Sequence, residues 1–494
     1  MKLNLPLVVI KTLLVLEKGG FEAYIVGGAI RDLLMQKPVT DWDFTTNAQP
    51  SEIQKIFPES FYDNRFGTVG ITAEELIKQF QSETDWSLVN EDYSLEKVNL
   101  TLDNVFEITT FRSEEGYSDR RHPDKVAWGK TLAEDLVRRD FTMNAMALQA
   151  TSDKKPACAG RQATSNEKID LATCSLQLAA KLIDPFNGQK DLEQKIIRAV
   201  GKADERFNED ALRMMRAIRF ASQLGFMIEN ETLKAITKHS KSLQHISYER
   251  VRDELLKILV SDYPADGIKL LFTSNLLEYV LPELIPTRDV KQAGHHTKDV
   301  WNHSLDALAN CPSPDPIVRL ATLLHDVGKP VAFRQNNQKI TFYGHEVVGA
   351  RMAKKIAARL HLSGKQSEKL WLLVRYHMFA YDPKMTDAAI RRFIKKVGLE
   401  NINDMVLLRI GDRIGGGSRA TSWRLREFQE RIGQVLYTPM QIKDLKVNGQ
   451  DVMEILKIKP GPKVGEVLQK LFEEVMEDST KNDRDYLLKR IEEV

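Results

Sequence analysis

The sequence predicts an α+β protein, with a mixed sheet and its helices at the N-terminal end and an all-α remainder. Three observations carry that reading. Ile25-Val26-Gly27-Gly28 is an apolar run closed by two glycines, and Ala29 to Leu34 continues it as a short helical pattern. Thr40-Asp41-Trp42-Asp43-Phe44 forms a second apolar run, and Val105 to Arg112 alternates as a half-buried strand does. From Arg206 onward the spacing turns helical, and residues 225–290 read as packed helices without distinct chemistry.

At 494 residues the chain is too long for one core and suggests about three or four domains. Its net charge of +2 is too small to announce an anionic partner, so any basic patch must be local. The apolar segment Leu5 to Leu16 is interrupted by Lys11 and followed by Glu17-Lys18. It lacks a cleavage pattern and is too short to span a bilayer, so no membrane role is expected. Cys158, Cys174 and Cys311 give neither a metal-binding spacing nor an even disulfide set, which fits a reducing cytoplasm.

Taken in order, Leu5 to Glu17 reads as an amphipathic helix ahead of a strand at Glu22 to Val26. Gly27 and Gly28 let backbone N–H groups approach a polyphosphate, and Arg31 can reach its anionic oxygens. Residues two apart on a strand face one side, so Asp41 and Asp43 present their carboxylates together. Two such carboxylates repel unless a cation lies between them, and hard oxygen donors favour Mg²⁺. Each piece alone describes an ordinary βαβ entry with surface acids. Together they point to nucleotidyl transfer, in which metal sits beside phosphates.

Pro50-Ser51-Glu52 looks like a helix start, and Arg65 to Ile71 like a strand. The acidic stretch from about Glu74 to Asp103 reads as a surface insertion without catalytic role. Glu107 is a candidate third carboxylate at the metal, against the plain alternative of a solvent-facing strand residue. Residues 113–129 lack periodicity and are expected to form a mobile loop. Arg138-Arg139-Asp140-Phe141-Thr142-Met143-Asn144-Ala145 follows.

These motifs resemble the polymerase-β-like nucleotidyltransferases, and within them the bacterial-type family of tRNA nucleotidyltransferases and poly(A) polymerases. The resemblance implies a head over residues 1–150, an insertion over 151–182, an RNA- and nucleotide-binding neck and body over 183–290, and a C-terminal tRNA-binding tail over 416–494. It implies that Arg139 and Asp140 contact the sugar and phosphates of the incoming nucleotide, with Asn144 in support. Gly27, Gly28, Arg31, Asp32 and Arg112 join that nucleotide-binding set, and the 113–129 loop helps the switch from adding C to adding A.

Arg206 to Ala221 reads as one helix, with Asp210 and Arg213 as neighbours on one face. A carboxylate only accepts hydrogen bonds and a guanidinium only donates them. Cytosine and adenine both offer an amino donor beside a ring-nitrogen acceptor, whereas uracil and guanine offer the reverse. One Asp/Arg pair therefore accepts C and A and leaves buried groups unpaired against U or G. Glu209, Asp210 and Arg213 match the family's E-D-x-x-R template, and Arg216 is assigned to phosphate or tRNA contacts.

A second chemistry follows. His303, the doublet His325-Asp326 before Val327-Gly328-Lys329, and Asp412 resemble the H…HD…D ligand order of the HD superfamily of metal-dependent phosphohydrolases, placed at 291–415. His345 and His377 are candidates to complete a second metal site. Imidazole with carboxylate suits Mn, Ni, Fe or Zn. Arg391, Arg392, Lys395, Lys396, Arg413, Arg419, Arg424 and Arg426 read as helical faces that could follow an RNA backbone, or as solvated surface.

The resemblance implies Mg²⁺-dependent addition of C, C and A to the 3′ end of tRNA from CTP and ATP, with an HD phosphohydrolase for RNA end repair. No stable protein partner is expected. The alternatives are a poly(A) polymerase or a CC-only or A-only enzyme, an HD hydrolase whose head only binds RNA, and a non-catalytic tRNA-binding protein.

Overall fold

The computed structural model describes residues 5–63, 67–82, 101–115, 125–129, 131–151, 179–292, 298–336, 339–379, 381–435 and 441–493. Arg65 and Phe66, residues 83–100 of the acidic stretch, the centre of the expected loop (116–124), and 152–178 with Cys158 and Cys174 lie outside them. The chain divides into two units, Met1–Glu254 with Lys269–Tyr279, and Leu255–Ile268 with Val280–Val494.

The first unit begins with α1 (Leu7–Lys18), β1 (Ala23–Val26), α2 (Gly28–Leu34), β2 (Trp42–Thr46), α3 (Pro50–Ile56), β3 (Phe61–Asp63), β4 (Thr68–Thr72), α4 (Ala73–Ser82) and β5 (Val105–Thr110). β6 (Arg112–Glu115), β7 (Lys125–Trp128), α5 (Leu132–Val137), β8 (Ala147–Thr151) and β9 (Ala179–Ile183) follow. Seven strands form one mixed sheet in the order β3-β4-β5-β2-β1-β8-β9. Only β2 and β5 pair in parallel within it. All four residues of β1 are buried, which explains an apolar run without alternation. On β5, Phe106 and Ile108 enter the core while Glu107 faces out.

Two expectations for this region change. The acidic stretch opens as α4, which buries Leu76, Ile77 and Phe80, so its start belongs to the core rather than the surface. The loop after β5 is anchored at both ends, because β6 and β7 pair as an antiparallel ribbon. The 151–182 insertion joins two paired strands, β8 and β9.

The first unit continues with α6 (Gly188–Glu193), β10 (Ile196–Ile197), α7 (Ala203–Glu209), α8 (Leu212–Leu224), β11 (Met227–Ile228) and α9 (Asn230–His239). The helix expected over Arg206–Ala221 is broken. Asp210 adopts extended backbone (φ −139°, ψ 107°) between α7 and α8, and its side chain accepts from the Leu212 N–H at 2.9 Å. An aspartate that caps the next helix favours such a break. α10 (Tyr248–Leu259), α11 (Pro264–Thr273) and α12 (Leu277–Val280) lie across the boundaries of the two units.

The second unit is helical, with α13 (Val300–Ala309), α14 (Pro316–Leu324), α15 (Lys329–Ala332), a hairpin of β12 (Arg334–Asn336) and β13 (Lys339–Thr341), α16 (His345–Arg359) and α17 (Gly364–Tyr376). α18 (Asp387–Val397), α19 (Leu399–Gly415), α20 (Trp423–Val435), α21 (Gly449–Leu456), α22 (Pro462–Glu477) and α23 (Arg484–Glu493) complete it. α14 is capped by the Asp315 side chain, has Pro316 at its first position, and buries Ile317, Val318, Leu320, Ala321, Leu323 and Leu324. Among the described residues, no helix is long and apolar enough to cross a membrane.

Three members of the basic stretch are engaged within the fold. Arg391 is buried and donates to the carbonyls of Met476 (2.8 Å) and Glu477 (3.4 Å), capping the end of α22. Arg392 pairs with Glu477, and Lys395 lies over the Phe472 ring. These side chains attach the tail helix to α18.

Candidate active site and metal centre

In the first unit the sheet register assembles the site. Asp43 on β2 stands opposite Val26 on β1 and opposite Glu107 on β5. Gly27, at φ +74°, caps α2, and a Cβ there would stand 2.9 Å from Asp43 Oδ2 and 3.3 Å from Arg139 Nη1. Gly27, Asp43 and Arg139 therefore meet at one point. Asp41 lies just before β2 and is exposed. Burial pushes the Asp43 carboxyl up to about 6, the Glu107 charge adds to this, Arg139 opposes it, and Asp41 raises it further. The Glu107 and Asp41 charges both act on Asp43, so the three acids are neighbours, but among the described residues they do not close into one donor group as the acids and histidines of the second unit do.

A network of ion pairs surrounds this point. Arg31 donates to both carboxylate oxygens of Asp32 at 2.8 Å and from Nη1 to Asn144 Oδ1 at 3.2 Å. Asn144 Nδ2 donates to Asp140 Oδ1 at 3.3 Å, and Arg216 donates from Nε to Asp140 Oδ2 at 2.7 Å. Burial alone would raise the Asp140 carboxyl, yet the Arg216 guanidinium holds it below the usual carboxylate range. Arg216 thus engages an acid of the proposed nucleotide set. Arg112 is the first residue of β6, in register with Trp128.

Asp210 and Arg213 remain one turn apart, the Arg213 N–H donating to the Asp210 carbonyl at 3.0 Å, but their side chains take different partners. Asp210 Oδ2 accepts from Arg250 at 2.7 Å. Arg213 pairs with Glu209 and donates to the backbone carbonyls of Arg206 (3.3 Å) and Arg138 (3.0 Å). A guanidinium has five N–H donors, so Arg213 keeps donor capacity beyond these partners. Two organising residues escaped the sequence reading. Asp135, fully buried, binds Arg138 (2.6 Å) and Arg139 (3.0 Å), and its spacing of three and four residues before them was a readable signal. Arg250 had no local signal.

In the second unit four histidines and two aspartates converge. His303 comes from α13, His325 and Asp326 follow α14, His345 opens α16, His377 follows α17, and Asp412 lies on α19. Nδ1 of His325, His345 and His377 donates to the backbone carbonyls of Thr322 (2.7 Å), Phe342 (2.9 Å) and Val374 (2.8 Å). A carbonyl can only accept, so each Nε2 is left with its lone pair. His303 Nε2 and His325 Nε2 are 3.1 Å apart, and His345 Nε2 and His377 Nε2 are 3.4 Å apart.

Asp326 joins the two pairs. Its Oδ2 lies 3.5 Å from His303 and 3.2 Å from His325, and its Oδ1 lies 3.3 Å from His345 and 3.7 Å from His377. Asp412 Oδ1 reaches His303 Nε2 at 3.1 Å. Burial would lower the His325 imidazole, but Asp326 and Asp412 push it up to about 10. The donors fall into two groups sharing one carboxylate, His303, His325 and Asp326 beside Asp326, His345 and His377. Imidazole with carboxylate fits divalent transition ions. Lys329 Nζ, 2.5 Å from Asp326 Oδ2, is a further neighbour the sequence reading left unassigned.

Comparison with known proteins gives four family matches. Residues 23–198 match the poly A polymerase head domain, and 225–287 a probable RNA and SrmB binding site of polymerase A. Residues 294–414 match the HD domain, and 426–491 a putative second domain of tRNA nucleotidyltransferase. A CCA-adding enzyme of Streptococcus mutans is 32% identical over 494 residues, covering 98% of this chain and 97% of the relative. A CCA-adding enzyme of Lactiplantibacillus plantarum is 39% identical over 266 residues, about half the length of that relative (52%) and 54% of this chain. The crystal structure of the Bacillus stearothermophilus CCA-adding enzyme in complex with CTP is similar at a TM-score of 0.66 and 25% identity, over 98% of this chain and 96% of that one. A Thermotoga maritima CCA-adding enzyme complexed with tRNA shares the fold at a TM-score of 0.53 and 18% identity, over 98% of this chain and 94% of that one.

Proposed function

This chain belongs to the family of CCA-adding enzymes, and on that membership we propose that it adds C, C and A in succession to the 3′ end of tRNA from CTP and ATP. The observation that carries the reading is the meeting of Gly27, Asp43 and Arg139 beside Asp41 and Glu107. The tRNA 3′-hydroxyl attacks the α-phosphorus of the incoming nucleotide, and pyrophosphate leaves. A divalent cation, Mg²⁺ in our reading, would be held by Asp41, Asp43 and Glu107 and supplies activation of the hydroxyl and shielding of the leaving group.

The protein's own groups do the rest. Gly27 and Gly28 allow the backbone to approach the triphosphate, and Arg31 and Arg139 neutralise its charge. Asp140, kept ionised by Arg216, accepts from the ribose, and Asn144 links it to Arg31. Asp210, oriented by Arg250, and Arg213, oriented by Glu209, accept from and donate to the base edge that C and A share. In our reading this work is cytoplasmic.

A second activity is favoured by one observation, the two donor groups that share Asp326. Such a pair suits hydrolysis of a phosphate ester, and an RNA end is the substrate class that suits this chain. The reading is tested with a tRNA ending at its discriminator base. CTP alone should add two residues, CTP with ATP should add three and stop, and Asp43→Ala should add none. A long A tract from ATP alone would instead make the protein a poly(A) polymerase.

A further inference from the structure

Phe220 on α8 was assigned no role by the motifs, yet three guanidiniums surround its ring. Arg219 lies 4.4 Å from the ring centroid, Arg31 5.3 Å and Arg216 5.5 Å. Each already has a carboxylate partner, Arg219 with Glu254, Arg31 with Asp32 and Arg216 with Asp140. The ring is buried and meets Phe141 edge-on at 5.8 Å, so it cannot swing away. Phe141 directly follows Asp140 and donates its N–H to that carboxylate at 2.8 Å.

The contacts close a loop. Arg31 binds Asn144, Asn144 binds Asp140, Asp140 binds Arg216, and Arg216 and Arg31 meet again at Phe220. Like charges held this close repel, and an aromatic face is the one neutral surface that attracts them all without using their hydrogen-bond donors. Arg213, Arg216 and Phe220 also share α8, so the base-reading end of that helix and the phosphate-binding α2 are tied through this ring. We propose that Phe220 is a positioning residue for nucleotidyl transfer, holding Arg31 of the triphosphate set and the Arg216–Asp140 pair of the sugar set in one fixed relation. This rests on the reading of the head as a CCA-adding site.

The test compares Phe220→Leu and Phe220→Met, which keep an apolar filling without a ring, with Phe220→Tyr, which keeps the ring. Phe57→Leu, a fully buried site outside the network, is the control for simple loss of packing. Steady-state kinetics are read separately for CTP, ATP and tRNA, beside thermal unfolding with and without CTP. Phe220→Leu and Phe220→Met should raise KM for both nucleotides about tenfold and leave KM for tRNA unchanged, with Phe220→Tyr within about twofold of the parent. Phe57→Leu should lower Tm without moving KM.

The proposal is overturned if either ring-less variant, folded, keeps the parental nucleotide KM and CTP-induced Tm shift. It is equally overturned if Phe57→Leu raises the nucleotide KM as much, or if Phe220→Tyr performs no better than Phe220→Leu. Failure of the parent protein to incorporate CTP would instead overturn the functional reading itself.

Discussion

The Cβ that Gly27 lacks would stand 2.9 Å from Oδ2 of Asp43, so the turn read as phosphate-binding and the carboxylate read as metal-binding touch directly. Gly27→Ala places a side chain on a backbone at φ +74° and pushes against that carboxylate. The expected result is a loss of about 2 kcal/mol in stability with the fold retained, and a fall in CTP incorporation of at least about a hundredfold. Denaturant unfolding and single-turnover incorporation measure the two effects. Near-parental incorporation would show that the contact is incidental.

In the second unit, α13 and α19 approach closely because Gly411 and Gly415 flank Asp412. A Cβ on Gly411 would meet the Ala307 carbonyl oxygen at 2.6 Å, and one on Gly415 the His303 carbonyl oxygen at 2.9 Å. Gly415→Ala should therefore push Asp412 away from His303 and lower bound metal, measured by elemental analysis after dialysis. Nucleotide addition should stay at the parental rate, since the head residues are untouched.

Two donor groups sharing Asp326 predict two divalent ions per chain in the second unit. His377→Ala should leave one ion, whereas Asp326→Ala should leave none, because the shared carboxylate serves both groups. Metal titration with the head ligands removed by Asp41→Ala and Asp43→Ala counts them. Equal loss from both variants would argue for a single ion.

Asp135 gives the head a defined acid sensitivity. Burial alone would raise its carboxyl, but the charges of Arg139 and Arg138 hold it below the usual value of 3.8. Its contribution is therefore fully present above pH 3.8 and is lost as the pH falls through the lower folded-state value. Asp135→Asn should cost about 3 kcal/mol at neutral pH, because two guanidiniums lose their buried partner. The gap between parent and variant should narrow below pH 3.8, as urea unfolding at several pH values can follow.

The sheet and the acids gathered near Gly27 were readable because each rests on local pattern. β1 is buried along its whole length and so reads as a continuous apolar run, and Glu107 shows itself through the alternation of β5. The HD centre was readable because its doublet and flanking histidines have few other reasons to sit between apolar helices. Partnerships made across the fold were not readable. Asp210 looked like a helix neighbour of Arg213, but capping of α8 and the distant Arg250 decide where its carboxylate points. Arg391 looked like a candidate for RNA and proved to be a buried cap on α22, because charge alone does not reveal which cation the tail will cover.

The central claim is tested most directly by the product of the head site. A tRNA ending at its discriminator base is incubated with equal CTP, ATP, UTP and GTP, and the 3′ ends are sequenced for the parent, Asp41→Ala and Asp43→Ala. The account predicts C-C-A and then arrest in the parent, and unextended ends in both variants. A homopolymer, incorporation of U or G, or extension that survives the loss of Asp43 would contradict it.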